Sequence, residues 1–197
     1  MKICTATLTG IPGSPYSQSG FLNHIPKLER ESAEDYDLRT WREHCNTNDS
    51  GQICIPAMGL KMAIDTTAFK LGEKVPGRRG ATYRSFFESG FIVDGDVPIA
   101  NGKALKPDDA EMVAIMSDSK GRRGASGGSR VLRRFPVFKE WSGPARFIIM
   151  DELIMPVFPQ HLNACGWIVG LGRFRPENGG TNGRFRVTDI KWEEVSF

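Results

Sequence analysis

The chain has 197 residues, of which 40% are hydrophobic and 25% charged, with a formal net charge of +3. These values are ordinary for a soluble globular protein with one well-buried core, read here as a single domain, 1–197. No apolar run reaches the roughly 20 residues that would cross a membrane.

The opening segment, Lys2 to Thr9, alternates. Ile3, Thr5, Thr7 and Thr9 fall on one face and Cys4, Ala6 and Leu8 on the other, which predicts a buried first strand. The prolines and glycines of Gly10 to Gly20 predict a loop. Ser32-Ala-Glu-Asp carries an N-cap and capping-box pattern, so a helix is expected from Ser32 to about Cys45. Together these make 10–50 an inserted loop and helical segment. Ile53 to Ile55 reads as a short strand that meets Pro56, a good first-turn residue. Leu60, Ile64, Ala68 and Leu71 then recur at helical spacing, and Gly72 ends the helix. A basic loop, Pro76 to Gly80, precedes the aromatics Tyr83, Phe86 and Phe87, and at least one of Phe86 and Phe87 is expected in the core.

Gly90 to Val93, Met112 to Met116, Val131 to Phe138, Ala145 to Met150 and Arg184 to Trp192 read as strands, and Pro159 to Val169 as a second helix. Met112–Met116 and Val131–Phe138 pair as a hairpin whose basic, glycine-rich tip, 117–130, is longer than a tight turn needs and is expected to be flexible. Without its loops the order approaches βαββαβ. That predicts an α+β, ferredoxin-like antiparallel sheet with inserted loops and a long basic hairpin.

Charge is unevenly spread. From Lys120 to Arg186 there are twelve basic residues and four acids, Glu140, Asp151, Glu152 and Glu177, whereas Glu29 to Asp49 is acid-rich. Such asymmetry points to a nucleic-acid face. Its densest part is Gly166 to Val187, where six glycines stand with Arg173, Arg175, Arg184 and Arg186. Glycine permits positive φ and close backbone approach, and arginine offers a flat cationic fork that suits phosphate. The run lacks the strand-before, helix-after context of a dinucleotide fingerprint and the Gly-Lys-Ser/Thr of a phosphate loop. In the final strand Arg184 and Arg186 are expected on one face, with Phe185 and Val187 on the other.

At these residues the chain resembles the RAMP superfamily, the repeat-associated RNA-binding proteins of CRISPR systems that include Cas7-like backbone subunits. In that family a glycine-rich loop follows the final helix and precedes the final strand, where GLGRFRPENGGTNGRF stands here. Ile55-Pro56 with Lys61 resembles the family's opening of the first core helix. The resemblance implies a partner in single-stranded nucleic acid, RNA ahead of DNA, held mainly by its phosphates, with self-association along the ligand and no cofactor. A CRISPR subunit and a stand-alone phage relative both remain open. The residues expected to hold the ligand are Lys61, Arg78, Arg79, Lys120, Arg122, Arg123, Arg130, Arg173, Arg175, Arg184 and Arg186.

Two rival functions remain. One is a metal-independent endoribonuclease using His161 or His44. The other is an assembly subunit whose arginines meet an acidic protein. His44, Cys45 and Cys54 lack metal-ligand spacing, so no metal site is expected, and no residue is assigned a catalytic role. Cys4, Cys45, Cys54 and Cys165 show no paired spacing. The first residues are too polar for a targeting segment, so reduced thiols and a cytoplasmic location are expected.

Overall fold

The structure is a computed structural model that describes residues 1–20, 25–118 and 130–194. Its elements in chain order are β1 (Lys2–Gly10), β2 (Tyr16–Ser17), α1 (Ala33–Thr40), β3 (Cys54–Ile55) and α2 (Ala57–Leu71). There follow α3 (Arg84–Gly90), β4 (Phe91–Val93), β5 (Val97–Pro98), β6 (Ala100–Asn101), β7 (Lys103–Ala104), β8 (Glu111–Asp118) and β9 (Arg130–Phe138). The chain closes with β10 (Ser142–Ile149), α4 (Phe158–Ala164) and β11 (Phe185–Glu194).

The frame is β1–α2–β4–β10–α4–β11. Its sheet has the order β11–β1–β10–β4 with every neighbour antiparallel, the ferredoxin-like arrangement expected from the sequence. β6 and β7 extend the same sheet beside β10. The alternation of β1 becomes a division between two faces. Cys4, Ala6 and Leu8 are buried in the main core, whereas Thr5, Thr7 and Thr9 lie half-buried on the opposite face.

Local signals explain the helices. The Ser32 hydroxyl accepts from the Asp35 N–H at 3.1 Å and so caps α1. That helix ends at Thr40 and a 3₁₀ turn carries the chain to His44. α2 buries Leu60, Ile64 and Ala68 and stops at Gly72, whose φ of 56° continues no right-handed helix. Leu71, the last residue of the expected stripe, lies on the outer turn and is exposed. α3 falls where the sequence pattern assigns no element, between the basic loop and β4. Its seven residues are too few for a periodic signal, yet Phe87 is fully buried against Phe91 and Phe158. The predicted final helix is shorter as an α-helix. After Ala164 it widens into a π turn, Cys165–Val169, because Gly166 packs directly on the Phe185 carbonyl.

The hairpin forms as expected, in register from Glu111–Val137 to Asp118–Arg130, but it stands apart from the main sheet. Its β9 edge takes β2 instead. α1 closes more of that edge, for Asp37 accepts the Arg134 N–H at 2.8 Å and Glu34 meets the Arg134 guanidinium at 3.2 Å. The acid-rich segment thus neutralises part of the basic one. Residues 119–129, with most of the expected flexible tip, lie outside the described residues.

Candidate nucleic-acid interface

The glycine-rich segment is strapped to the loop that follows β1. The Leu171 N–H donates to the Gly183 carbonyl (3.0 Å) and the Gly183 N–H to that of Pro15 (2.9 Å). The Arg173 N–H donates to the Ser17 carbonyl (2.8 Å), and the Arg184 N–H to the Ser14 hydroxyl (2.8 Å). Gly172 makes the approach possible. Its φ is 72°, and a Cβ there would overlap the Ser17 carbonyl. Below the loop lies a groove of about 770 Å³, walled by Gly170–Arg175, by the start of α2 at Pro56 and Gly59, and by Tyr16, Gln18 and Asn46.

Arg173 is the groove's distinctive group. Its guanidinium carbon sits 3.6 Å from the Phe135 ring centre and 4.7 Å from that of Phe174. Its Nε is buried without an acceptor among the described residues, and no described carboxylate pairs with it. Burial, and Arg133 nearby, hold its pKa below that of ordinary arginine. Phe174 beside it has a φ of 58°, a strained setting for a residue with a side chain. An unpaired cation packed against two aromatic rings beside a groove is prepared for an anion and for planar surfaces stacked near it.

Most other basic side chains of the region are already engaged. Arg133 and Arg134 meet Asp37, Lys139 meets Glu111, Arg146 meets Asp94, and Arg175 meets Glu177 at 2.7 Å. Arg184 donates to the Trp167 carbonyl. Among the described basic side chains from 120 to 186, Arg173, Arg184 and Arg186 lack a carboxylate partner, and of these Arg184 is engaged by the Trp167 carbonyl. Arg186 is exposed and lines a different groove, so the expected pairing of Arg184 with Arg186 on one strand face is not found. The reason is that β11 begins only at Phe185, and Arg184 still belongs to the strapped loop.

Arg78 and Arg79 are exposed beyond α2, with Arg78 over the Phe86 ring at 5.1 Å, and neither lines the groove. Lys120, Arg122 and Arg123 lie outside the described residues, as does the side chain of Arg130. Tyr16, Gln18 and Asn46 were not anticipated, because they sit in an irregular segment with no periodic pattern. The interleaving of Arg173, Phe174 and Arg175 was the available signal for a stacking site.

Lys61 does not reach the groove. Its ammonium is bound to Asp65 at 2.6 Å and to the carbonyls of Phe87 and Glu88 at 3.2 Å, 4.4 Å from the Phe91 ring centre. Burial pushes the Asp65 carboxyl above the usual carboxylate range even with Lys61 beside it. The Ala57 N–H at the start of α2 is taken by Asp96 at 2.8 Å. Lys61 is therefore a tie between α2 and α3. Lys61→Met is expected to cost about 2 kcal/mol of stability by stranding Asp65, with no change in the folded protein's affinity for RNA. Urea unfolding and an RNA titration check this, and unchanged stability with weakened binding would return Lys61 to the phosphate-binding set.

The two histidines considered for a nuclease, His161 and His44, are both packed against aromatic rings. His161 is fully buried and stacked on Phe87 at 4.5 Å, with Nε2 3.8 Å from a Glu73 carboxylate oxygen, and burial lowers its pKa. His44 bonds through Nδ1 to the Gly20 carbonyl at 3.0 Å, and its ring packs on Phe135. No group of three metal-ligating side chains occurs among the described residues. The four cysteines are free and buried, with burial raising each thiol pKa. Among the described residues no helix is long and apolar enough to cross a membrane.

No family model and no curated protein matches the chain. Its fold does match solved structures. A chain of the Type III-B Cmr-beta complex bound to cognate target RNA aligns with a TM-score of 0.57 at 13% identity over 97% of this chain. This chain spans 60% of that protein's length. Cmr6 from Pyrococcus furiosus aligns with a TM-score of 0.50 at 11% identity, over 94% of this chain and 98% of Cmr6. The sheet order and these matches agree that the chain shares the ferredoxin-like α+β fold of these Cmr proteins.

Proposed function

We propose that the protein holds single-stranded RNA by its phosphate backbone in the groove beneath the glycine-rich loop, as a non-catalytic component of a CRISPR-type ribonucleoprotein. The observation that carries this reading is Arg173, a cation with no described carboxylate partner, packed against Phe135 and Phe174 at the groove. The helix-free face of the sheet supports it by contrast. Cross-strand partners share a face, which puts Ile3, Thr5, Thr7, Thr9, Arg146, Ile148 and Arg186 there, with no aromatic platform for bases. Stacking surface is instead gathered at the glycine-rich loop. RNA is chosen over DNA because the Cmr-beta protein of similar fold was solved bound to target RNA. Self-association along the ligand belongs to the same proposal. The outer face of α2, where Met58, Met62 and Phe69 are exposed, supplies apolar surface of the kind protein contacts use.

The test is a titration with single-stranded RNA, single-stranded DNA and duplex RNA at several salt concentrations. Single-stranded RNA of any sequence should bind best, with log K falling by about 0.7 per phosphate contact for each unit of log salt. Longer oligonucleotides should give complexes of stepwise greater mass. Absence of salt-sensitive binding to any single strand would overturn the reading, and a constant one-to-one mass would remove the self-association.

A further inference from the structure

A second groove, of about 610 Å³, lies on the far side of the loop that follows β1. Thr9 pairs with Ser142 on one side and Arg186 on the other, and all three line this groove, so it opens at the end of the sheet's helix-free face. The groove beneath the glycine-rich loop is bounded by α2 on the helix side. The two meet at one peptide, because Pro15 lines the second and Tyr16 the first. The loop that follows β1 therefore contributes to both walls, with the buried Tyr16 and Trp141 rings packed against each other 5.5 Å apart.

The chemistry of this second groove is specific. Arg186 is exposed and, like Arg173, has no carboxylate partner among the described residues, although nearly every neighbouring cation has one. Lys139 at the rim is held by Glu111 at 2.7 Å, and the Asn101 amide donates to Glu140 at 3.2 Å. Trp141, only 3% exposed, has an indole N–H with no acceptor among the described residues. That N–H faces Gly10, where a Cβ would come within 2.5 Å of it. A buried donor left unpaired is costly in the free protein and is satisfied by an incoming oxygen. Pro12 and Pro15 add apolar wall beside the indole. One unpaired arginine, a nearby Glu140 and flat apolar walls disfavour an acidic peptide, which carries charge on many residues. They suit a polymer with one negative charge per unit and neutral planar groups between.

We propose that this second groove takes the nucleotides that continue the strand held beneath the glycine-rich loop. Arg186 meets a phosphate, and the Trp141 indole N–H donates to a base or ribose oxygen seated over Gly10. The inference rests on the RNA-binding reading and extends its footprint around the end of the sheet. It makes binding depend on ligand length in a way a single groove does not.

The experiment compares wild type, Arg186→Glu, Lys191→Glu and Arg173→Met on oligouridines of 4 and 12 nucleotides. Lys191 is opposite Thr5 on the same sheet face but does not line the groove, so it controls for the general field of the protein. Arg186→Glu should weaken the 12-mer about tenfold and leave the 4-mer unchanged. Lys191→Glu should affect neither, and Arg173→Met should weaken both. Three outcomes overturn the second groove alone while leaving the first intact. These are an unchanged 12-mer with Arg186→Glu, an equal loss on both lengths, or an equal loss with Lys191→Glu. If wild type binds neither oligonucleotide, the RNA-binding reading fails and this inference fails with it.

Discussion

Arg173→Met should weaken single-stranded RNA binding about thirtyfold while leaving the folded protein within about 1 kcal/mol of its original stability. The binding loss follows from removing a charge-assisted hydrogen bond to phosphate, worth about 2 kcal/mol. Stability is nearly unchanged because two effects oppose. Methionine loses the cation–π contacts with Phe135 and Phe174. It also relieves the burial of an unpaired guanidinium whose Nε has no described acceptor and whose pKa is lowered by desolvation and by Arg133. The slope of log K against log salt should flatten by about 0.7, one contact of a single strand. Arg173→Lys should fall between, since it keeps the charge but not the planar fork that packs against the two rings. Filter binding and urea unfolding of the same preparations read both quantities. A variant that unfolds easily and still binds as the parent does would make Arg173 a structural residue and remove the basis for the site.

Short-range patterns in the sequence carried the frame. The alternation of β1, the Ser32 cap and the Leu60–Ile64–Ala68 stripe are each decided within a few residues, and each is found. α3 was not legible, because its seven residues owe their helix to the burial of Phe87 rather than to a repeating pattern. The π turn was not legible either, since the fit of Gly166 against Phe185 joins segments that meet only after folding. Charge was the most misleading signal. The basic excess from 120 to 186 is real, but Arg134 finds Asp37 and Arg146 finds Asp94 across long stretches of chain, which no local reading anticipates. The Lys61–Asp65 pair is different. Its i,i+4 spacing is visible in the sequence and was outweighed by the helix-start resemblance. What distinguishes Arg173 from its neighbours is a buried Nε with no described acceptor beside two aromatic rings, a property that only the fold reveals.

Gly172→Ala should cost about 3 kcal/mol of stability and should also reduce RNA affinity, whereas Gly77→Ala should do much less of either. Both glycines hold positive φ, 72° and 74°, so each substitution pays the left-handed penalty of about 1–2 kcal/mol. They differ in what surrounds them. Gly77 has nothing within 4 Å of where a Cβ would stand, while a Cβ on Gly172 would overlap the Ser17 carbonyl and come within 2.8 Å of the Tyr16 ring. Ser17 cannot yield easily, because β2 is paired to β9 at Val137 and its carbonyl accepts the Arg173 N–H at 2.8 Å. Relieving the overlap therefore lengthens that hydrogen bond, worth about 1 kcal/mol, and shifts Arg173 away from Phe135. The stability loss and the binding loss should appear together, because one strap holds both the loop and its arginine. Urea midpoints and RNA titrations of the two variants decide the matter. If Gly172→Ala matches Gly77→Ala in both measurements, the strap between Ser17 and the glycine-rich loop does not position Arg173.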